Sequence, residues 1–168
     1  VGTRGFWFQA ESGIVRNPIA EPENPDEMVA VPDRSLYSAE QVVDGRGRVD
    51  VYPTRGCHFY CAHCQMDLAA GLYEQRQMTF LRRRPIEALA REIEHLRTTY
   101  PSMRSLRYPG CAFPLDEEYL KAYIATFSGP MRLPFTARAK TSELTPSMAR
   151  LLKEAGCYEV SLEVLSGS

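Results

Sequence analysis

From Val49 onward, short runs fit for β-strands alternate with stretches whose apolar residues recur at helical spacing. That alternation constrains the chain most, because strand, helix, strand in series builds a parallel sheet with covering helices. The first unit is "VDVYP", after which Ile86, Leu89, Ala90, Ile93 and Leu96 form a helical stripe, with Pro85 suited to its first turn. "SLRYPG" is the second strand. Leu120, Tyr123, Ile124 and Phe127 give the next helix its apolar face, and Asp116, Glu117 and Glu118 sit where the helix dipole favours negative charge. "MRLPFTARA" supplies the third strand, although Pro134 argues against its first half lying in the middle of a sheet. The third helix has the fullest signature: Thr145 as N-cap, Pro146 at the first position, Met148, Leu151, Leu152 and Ala155 on one face, and Gly156 as the stop. "YEVSLEVL" is the fourth strand.

The class is α/β. Four strands and three intervening helices cannot close an eight-stranded barrel, so the expectation is a fragment cut on both sides. Residues 1–48 have another texture, rich in proline and turn residues as in "NPIAEPENPDEMVAVPDRS". They read as an irregular linker with a single β-hairpin in "GFWFQAESGIVRN", turning at Ser12–Gly13. With 44% hydrophobic and 24% charged residues the chain can bury a core, and a net charge of -1 gives no general attraction to nucleic acid or anionic membrane. No apolar run approaches a bilayer span and the N-terminus lacks a signal-peptide pattern, so the expected compartment is the cytoplasm.

The chemistry concentrates in "RGCHFYCAHCQ", Arg55 to Gln65, where Cys57, Cys61 and Cys64 stand in C-x3-C-x2-C spacing directly after the first strand. Three occupants compete. A disulfide framework fits poorly with five cysteines and no secretory context. Structural zinc would take the three thiolates with His58 or His63 as a fourth ligand, but zinc sites usually draw a second ligand pair from a dozen or more residues away. A cubane iron-sulfur cluster held by three cysteines leaves one iron open to bind a small molecule. The C-terminal ends of parallel strands are where α/β barrels build their active sites.

These features together resemble the radical S-adenosylmethionine (radical SAM) superfamily, and within it the enzymes that carry a cobalamin-binding domain ahead of the radical SAM barrel. "GIVRNP" and "VPDRSL" resemble the connector before the cysteine loop in that branch, "RRRPIEALAREIEHL" its first helix, and "ARAKTSELTPSMARLLKEAGCYEVSLEVLSGS" its third strand through its fourth. The resemblance implies that residues 49–168 form the N-terminal half of a radical SAM core, the first part of a partial or full TIM-like (β/α) barrel. It implies that Cys57, Cys61 and Cys64 bind three irons of a 4Fe-4S cluster and that SAM chelates the fourth. His63 would lie near the adenine, Arg138 would meet the SAM carboxylate, and Glu163 would reach the ribose. Gly110 and Cys111, in "YPGCAFP", occupy the places of an acidic pair that relatives carry at the cofactor pocket, and Phe113 is kept.

The implied reaction is cleavage of SAM to methionine and a 5'-deoxyadenosyl radical. Its implied use is modification of an unactivated carbon, such as methylation with cobalamin as carrier. The parent could equally be a methylthiotransferase or an anaerobic cyclase; outside the resemblance stands a zinc-stabilised binding module without catalysis. The D-x-H-x-x-G pattern of cobalamin domains is absent around the three histidines, so cobalamin would belong to a missing upstream domain that residues 1–48 follow. The implied partners are a small-molecule or lipid-like substrate and an electron donor such as flavodoxin or ferredoxin. Elsewhere, Cys111 and Cys157 read as small buried hydrophobes. His58 and His95 carry no signal, Arg82 to Arg84 read as a solvated approach to a helix, and Phe6, Trp7 and Phe8 as packing residues.

Overall fold

The structure, a computed structural model, describes residues 2–21, 30–59, 61–74, 80–110 and 113–163. Strands β1 (Trp7–Ala10) and β2 (Gly13–Arg16) form the expected hairpin. Its turn sits one residue earlier than the sequence suggests. Ala10 pairs with Gly13, which leaves Glu11 and Ser12 in the loop and puts Gly13, at φ 114°, at the start of β2. A short helix α1 (Ala39–Val42) follows, its start closed by the Gln41 side chain accepting the Ser38 N–H at 2.9 Å.

Next come β3 (Arg48–Asp50), β4 (Thr54–Arg55), α2 (Gln65–Glu74), β5 (Arg82–Arg83) and α3 (Ile86–Thr99). After them β6 (Ser105–Tyr108), α4 (Glu117–Thr126), β7 (Phe135–Ala139), α5 (Pro146–Ala155) and β8 (Cys157–Leu162) complete the chain. β3, β6, β7 and β8 make a four-stranded sheet in that order, every pairing parallel. Sequential order with a helix in each later connection is what the alternating pattern predicts, and the α/β class is observed. β4 and β5 pair separately, antiparallel, through Thr54 with Arg83 and Arg55 with Arg82.

The helix-facing side of the sheet is the core. Val49, Val51, Leu106, Tyr108, Phe135 and Ala137 meet Leu89, Ile93 and Leu96 of α3, Leu120 and Tyr123 of α4, and Leu152 and Ala155 of α5. Each such fully buried aliphatic or aromatic side chain contributes about 1.5–3 kcal/mol of transfer free energy. Tyr108 and Tyr123 share a 2.9 Å hydroxyl–hydroxyl bond inside this cluster, and burial pushes both phenols well above their ordinary range.

The helix signals place the ends. Thr145 Oγ1 accepts the Met148 N–H at 3.2 Å, Pro146 opens α5, and Gly156 ends it in the left-handed region at φ 104°. Asp116 caps α4 by accepting the Tyr119 N–H at 2.7 Å. Pro85 stands at the N-cap of α3 rather than inside its first turn, with ψ at 140°. Pro134 stays outside β7, and Gly129–Met131 form a 3-10 turn, so the first half of "MRLPFTARA" is not strand.

Two expectations need correction. Arg82 to Arg84 are not a solvated approach, for Arg82 and Arg83 form β5 and Arg84 is buried against Glu92, which is 1% exposed. Arg34 reaches the same carboxylate from the connector, so residues before the sheet are tied to its first helix by a buried three-residue ion network. Cys157 is half-buried, its thiol pushed up by that burial, and Cys111 lies outside the described residues. Among the described residues no helix is long and apolar enough to cross a membrane.

Candidate active site at the cysteine loop

The cysteine loop leaves β3 through a fixed exit. After Asp50 the chain runs through Pro53, whose carbonyl accepts the Arg84 N–H at 2.9 Å, and into the β4–β5 ladder. Gly56 then turns at φ 85°, and a Cβ there would lie 2.1 Å from the Phe80 carbonyl oxygen. Only glycine allows so close a backbone crossing. Cys57 follows, buried, with the Phe59 N–H directed at its sulfur at 3.5 Å. Cys61 and Cys64 are half-buried, and the Cys64 N–H bonds the Cys61 carbonyl at 2.8 Å as the loop winds into α2.

The loop is gripped from across the sheet. β7 ends at Ala139, and the next four residues form a turn in which the Glu143 N–H bonds the Lys140 carbonyl at 3.1 Å. Both ends of that turn hold the cysteine loop. Lys140 Nζ lies 2.7 Å from Cys61 Sγ and 4.4 Å from the centre of the Phe59 ring. Glu143 Oε1 lies 2.8 Å from His58 Nε2. The Cys61 sulfur accepts a hydrogen bond from the Lys140 ammonium and holds that ammonium above its ordinary range.

The remaining predicted strand residues lie at or just past the C-terminal ends of the parallel strands. Arg138 and Ser161 are register partners, and Glu163 follows the last residue of β8. The Arg138 guanidinium is 3.3 Å from the Glu163 carboxylate, so two residues 25 positions apart in the chain are neighbours here. Gly110 comes two residues after β6, near Thr54 and Tyr52. His63 is exposed on the loop between Cys61 and Cys64.

Sequence reasoning missed Lys140, Glu143 and the role of His58. His58 was expected to carry no signal, yet it bridges two loops 85 residues apart. Nothing local could have revealed this, because both partners lie in the turn after a distant strand. Lys140 had one hint: it sits two residues beyond Arg138, just past the strand's C-terminal end.

Among the described residues no group of three or more His, Cys, Asp or Glu side chains stands placed to hold a metal ion. The three cysteines are of the donor type an iron-sulfur cluster takes, one thiolate for each of three irons, with hydrogen bonds to the sulfurs. The Phe59 N–H on Cys57 and the Lys140 ammonium on Cys61 are such bonds.

No family model matches the sequence, and no curated protein matches it closely enough to assign a relationship. Among solved structures, the chain is similar to that of the radical S-adenosylmethionine methyltransferase TsrM from Kitasatospora setae, determined with cobalamin and a [4Fe-4S] cluster bound. The match has a TM-score of 0.63 at 19% identity and covers 93% of this chain but 32% of that one. The chain thus spans about a third of the solved protein, and at this identity what the two share is the fold.

Proposed function

We propose that this chain is the cluster-bearing part of a radical SAM enzyme, the N-terminal portion of a (β/α) core spanning residues 49–168. The observation that carries the reading is the loop of Cys57, Cys61 and Cys64 at the C-terminal end of the first parallel strand, with the Lys140 ammonium 2.7 Å from Cys61 Sγ. The resemblance in sequence and the shared fold with a radical SAM methyltransferase support it independently.

In this reading Cys57, Cys61 and Cys64 hold a 4Fe-4S cluster. When bound, such a cluster leaves one iron free to take SAM and supplies the electron that cleaves it to methionine and a 5'-deoxyadenosyl radical. The chain's own contributions are positional and electrostatic. Gly56 and the β4–β5 ladder aim the loop, and Lys140 offsets part of the charge that three thiolates bring together. Arg138, near the C-terminal end of β7, presents a guanidinium suited to the SAM carboxylate, with Glu163 aligning it and available to a ribose hydroxyl. His63 stands for the adenine side and Gly110, near Thr54 and Tyr52, for the cofactor pocket after the second parallel strand.

Transfer of a methyl group to an unactivated carbon, with cobalamin carried by another domain, is the reaction this reading favours. The substrate is a small molecule and the electron comes from a flavodoxin- or ferredoxin-like donor in the cytoplasm. Anaerobic reconstitution with iron and sulfide tests the reading, with metal and sulfide analysis and EPR of the reduced protein with and without SAM. A 4Fe-4S signal that changes on adding SAM is the expected result. One zinc per chain without sulfide would replace this reading with a zinc-stabilised binding module.

A further inference from the structure

The bond between His58 and Glu143 occupies only one of the two carboxylate oxygens. Glu143 Oε2 is buried and has no hydrogen-bond partner. A buried carboxylate oxygen left without a donor costs free energy, so a native site that keeps one usually receives a donor from something else. The residue also lines a cavity of about 230 Å³ at the end of the sheet that carries the cysteines. His58 and Thr54 line the same cavity, and Leu81, Phe113 and Leu115 make its apolar wall.

We propose that this cavity is a substrate subsite that takes a small apolar group ending in an N–H donor, with the donor on Glu143 Oε2. The inference rests on the reading given above for the enzyme and adds to it the class of molecule that approaches the cluster. Three features select that class. Among the cavity's described lining residues the single Lys or Arg is Arg83, and its guanidinium is paired with Asp116. A carboxylate oxygen without a partner calls for a donor, so an amine or ring N–H suits this point better than a carboxylate or phosphate, which brings only acceptors. Phe113 and Leu115 bury the remainder of the group, and a volume below that of a whole drug-sized pocket suits one end of a substrate. Because His58 neighbours Cys57, a ligand on Glu143 would lie beside the loop that would hold the cluster.

Three ring compounds of similar size test the proposal by saturation-transfer NMR on the anaerobically reconstituted chain: benzylamine, anisole and benzoate. Benzylamine should bind at least about tenfold more tightly than anisole, roughly the 1.4 kcal/mol that a charge-assisted hydrogen bond supplies. Benzoate should not bind. Glu143→Gln should bring benzylamine down to the level of anisole, and the wild-type series alone suffices should that variant not fold. Benzoate binding as well as benzylamine overturns the proposal, as does an unchanged benzylamine preference in Glu143→Gln. Iron and sulfide content, measured in the same samples, keeps the two readings apart. A chain that takes up its cluster but shows no amine preference loses the subsite and keeps the enzyme; amine binding without a cluster does the reverse.

Discussion

The two faces of the parallel sheet differ in what they are made to do. On the helix side the first three strands offer apolar residues, Val49 and the following Val51, Leu106 and Tyr108, Phe135 and Ala137, locked among three helices. The alternate residues are polar: Asp50 and Arg107 form an ion pair across register partners, Thr136 pairs with Glu159, and Arg138 with Ser161. A sheet that only needed to be stable, with its second face in water, could show the same alternation. What sets this one apart is that the polar rows run toward the strand ends where the cysteine loop, Arg138 and Glu163 gather. Stability is built on one face and chemistry is hung from the ends of the other.

That division can be broken on its stable side first. Glu92→Ala strips both Arg34 and Arg84 of their buried partner, and a loss of about 3–5 kcal/mol is expected in urea unfolding. Leu89→Ala, at a position with no exposure, should cost about 2–5 kcal/mol. In both variants the folded fraction should still take up iron, since neither residue touches the loop.

The other side should respond in reverse. Alanine at Cys61 or Cys64 should abolish cluster formation while moving stability by less than about 1 kcal/mol, as befits half-buried positions. Loss of half the stability in either variant would mean that the loop is part of the core. Lys140→Met is subtler: iron uptake should persist, but losing a cation from Cys61 should lower the cluster's reduction potential, and Lys140→Arg should restore most of it. Protein-film voltammetry reads that difference.

The smallest effect concerns the turn that feeds β3. The Arg48 backbone N–H, with help from the Arg46 N–H and the Arg48 guanidinium, holds the Asp44 carboxyl down to about 2 from an ordinary 3.8. A carboxyl depressed by folding contributes stability above its unfolded value and loses it as pH falls through the folded one. Wild type should therefore lose a little stability between about pH 4 and pH 2 that Asp44→Asn lacks, measured by thermal melting across that range.

Much of this was legible in the sequence, for local reasons. Caps and stops such as Thr145, Asp116 and Gly156 act within one helical turn, so their neighbours in sequence are their partners in space. The cysteine loop was legible as a feature because its three cysteines are crowded together in sequence. Helix α2 was not, because its Leu68 and Leu72 face solvent and leave it without a clear buried stripe. Nor were the partners of Arg84, His58 and Cys61, which come from elements 8 to 85 residues away and depend on how the sheet assembles. Pairing across a fold is a property of topology, and one chain read alone carries topology only in outline.

The turn from Lys140 to Glu143 has a consequence for the order of events in maturation. A loop bearing three reactive thiols would ordinarily have to be searched into shape by the incoming inorganic core, paying its conformational entropy at that moment. Here two side chains of one turn hold it from the opposite side of the sheet, so much of that ordering is complete once β7 has found its place. Under the proposed reading, assembly of a metal centre on the loop would be a docking event that waits on the folding of the third parallel strand.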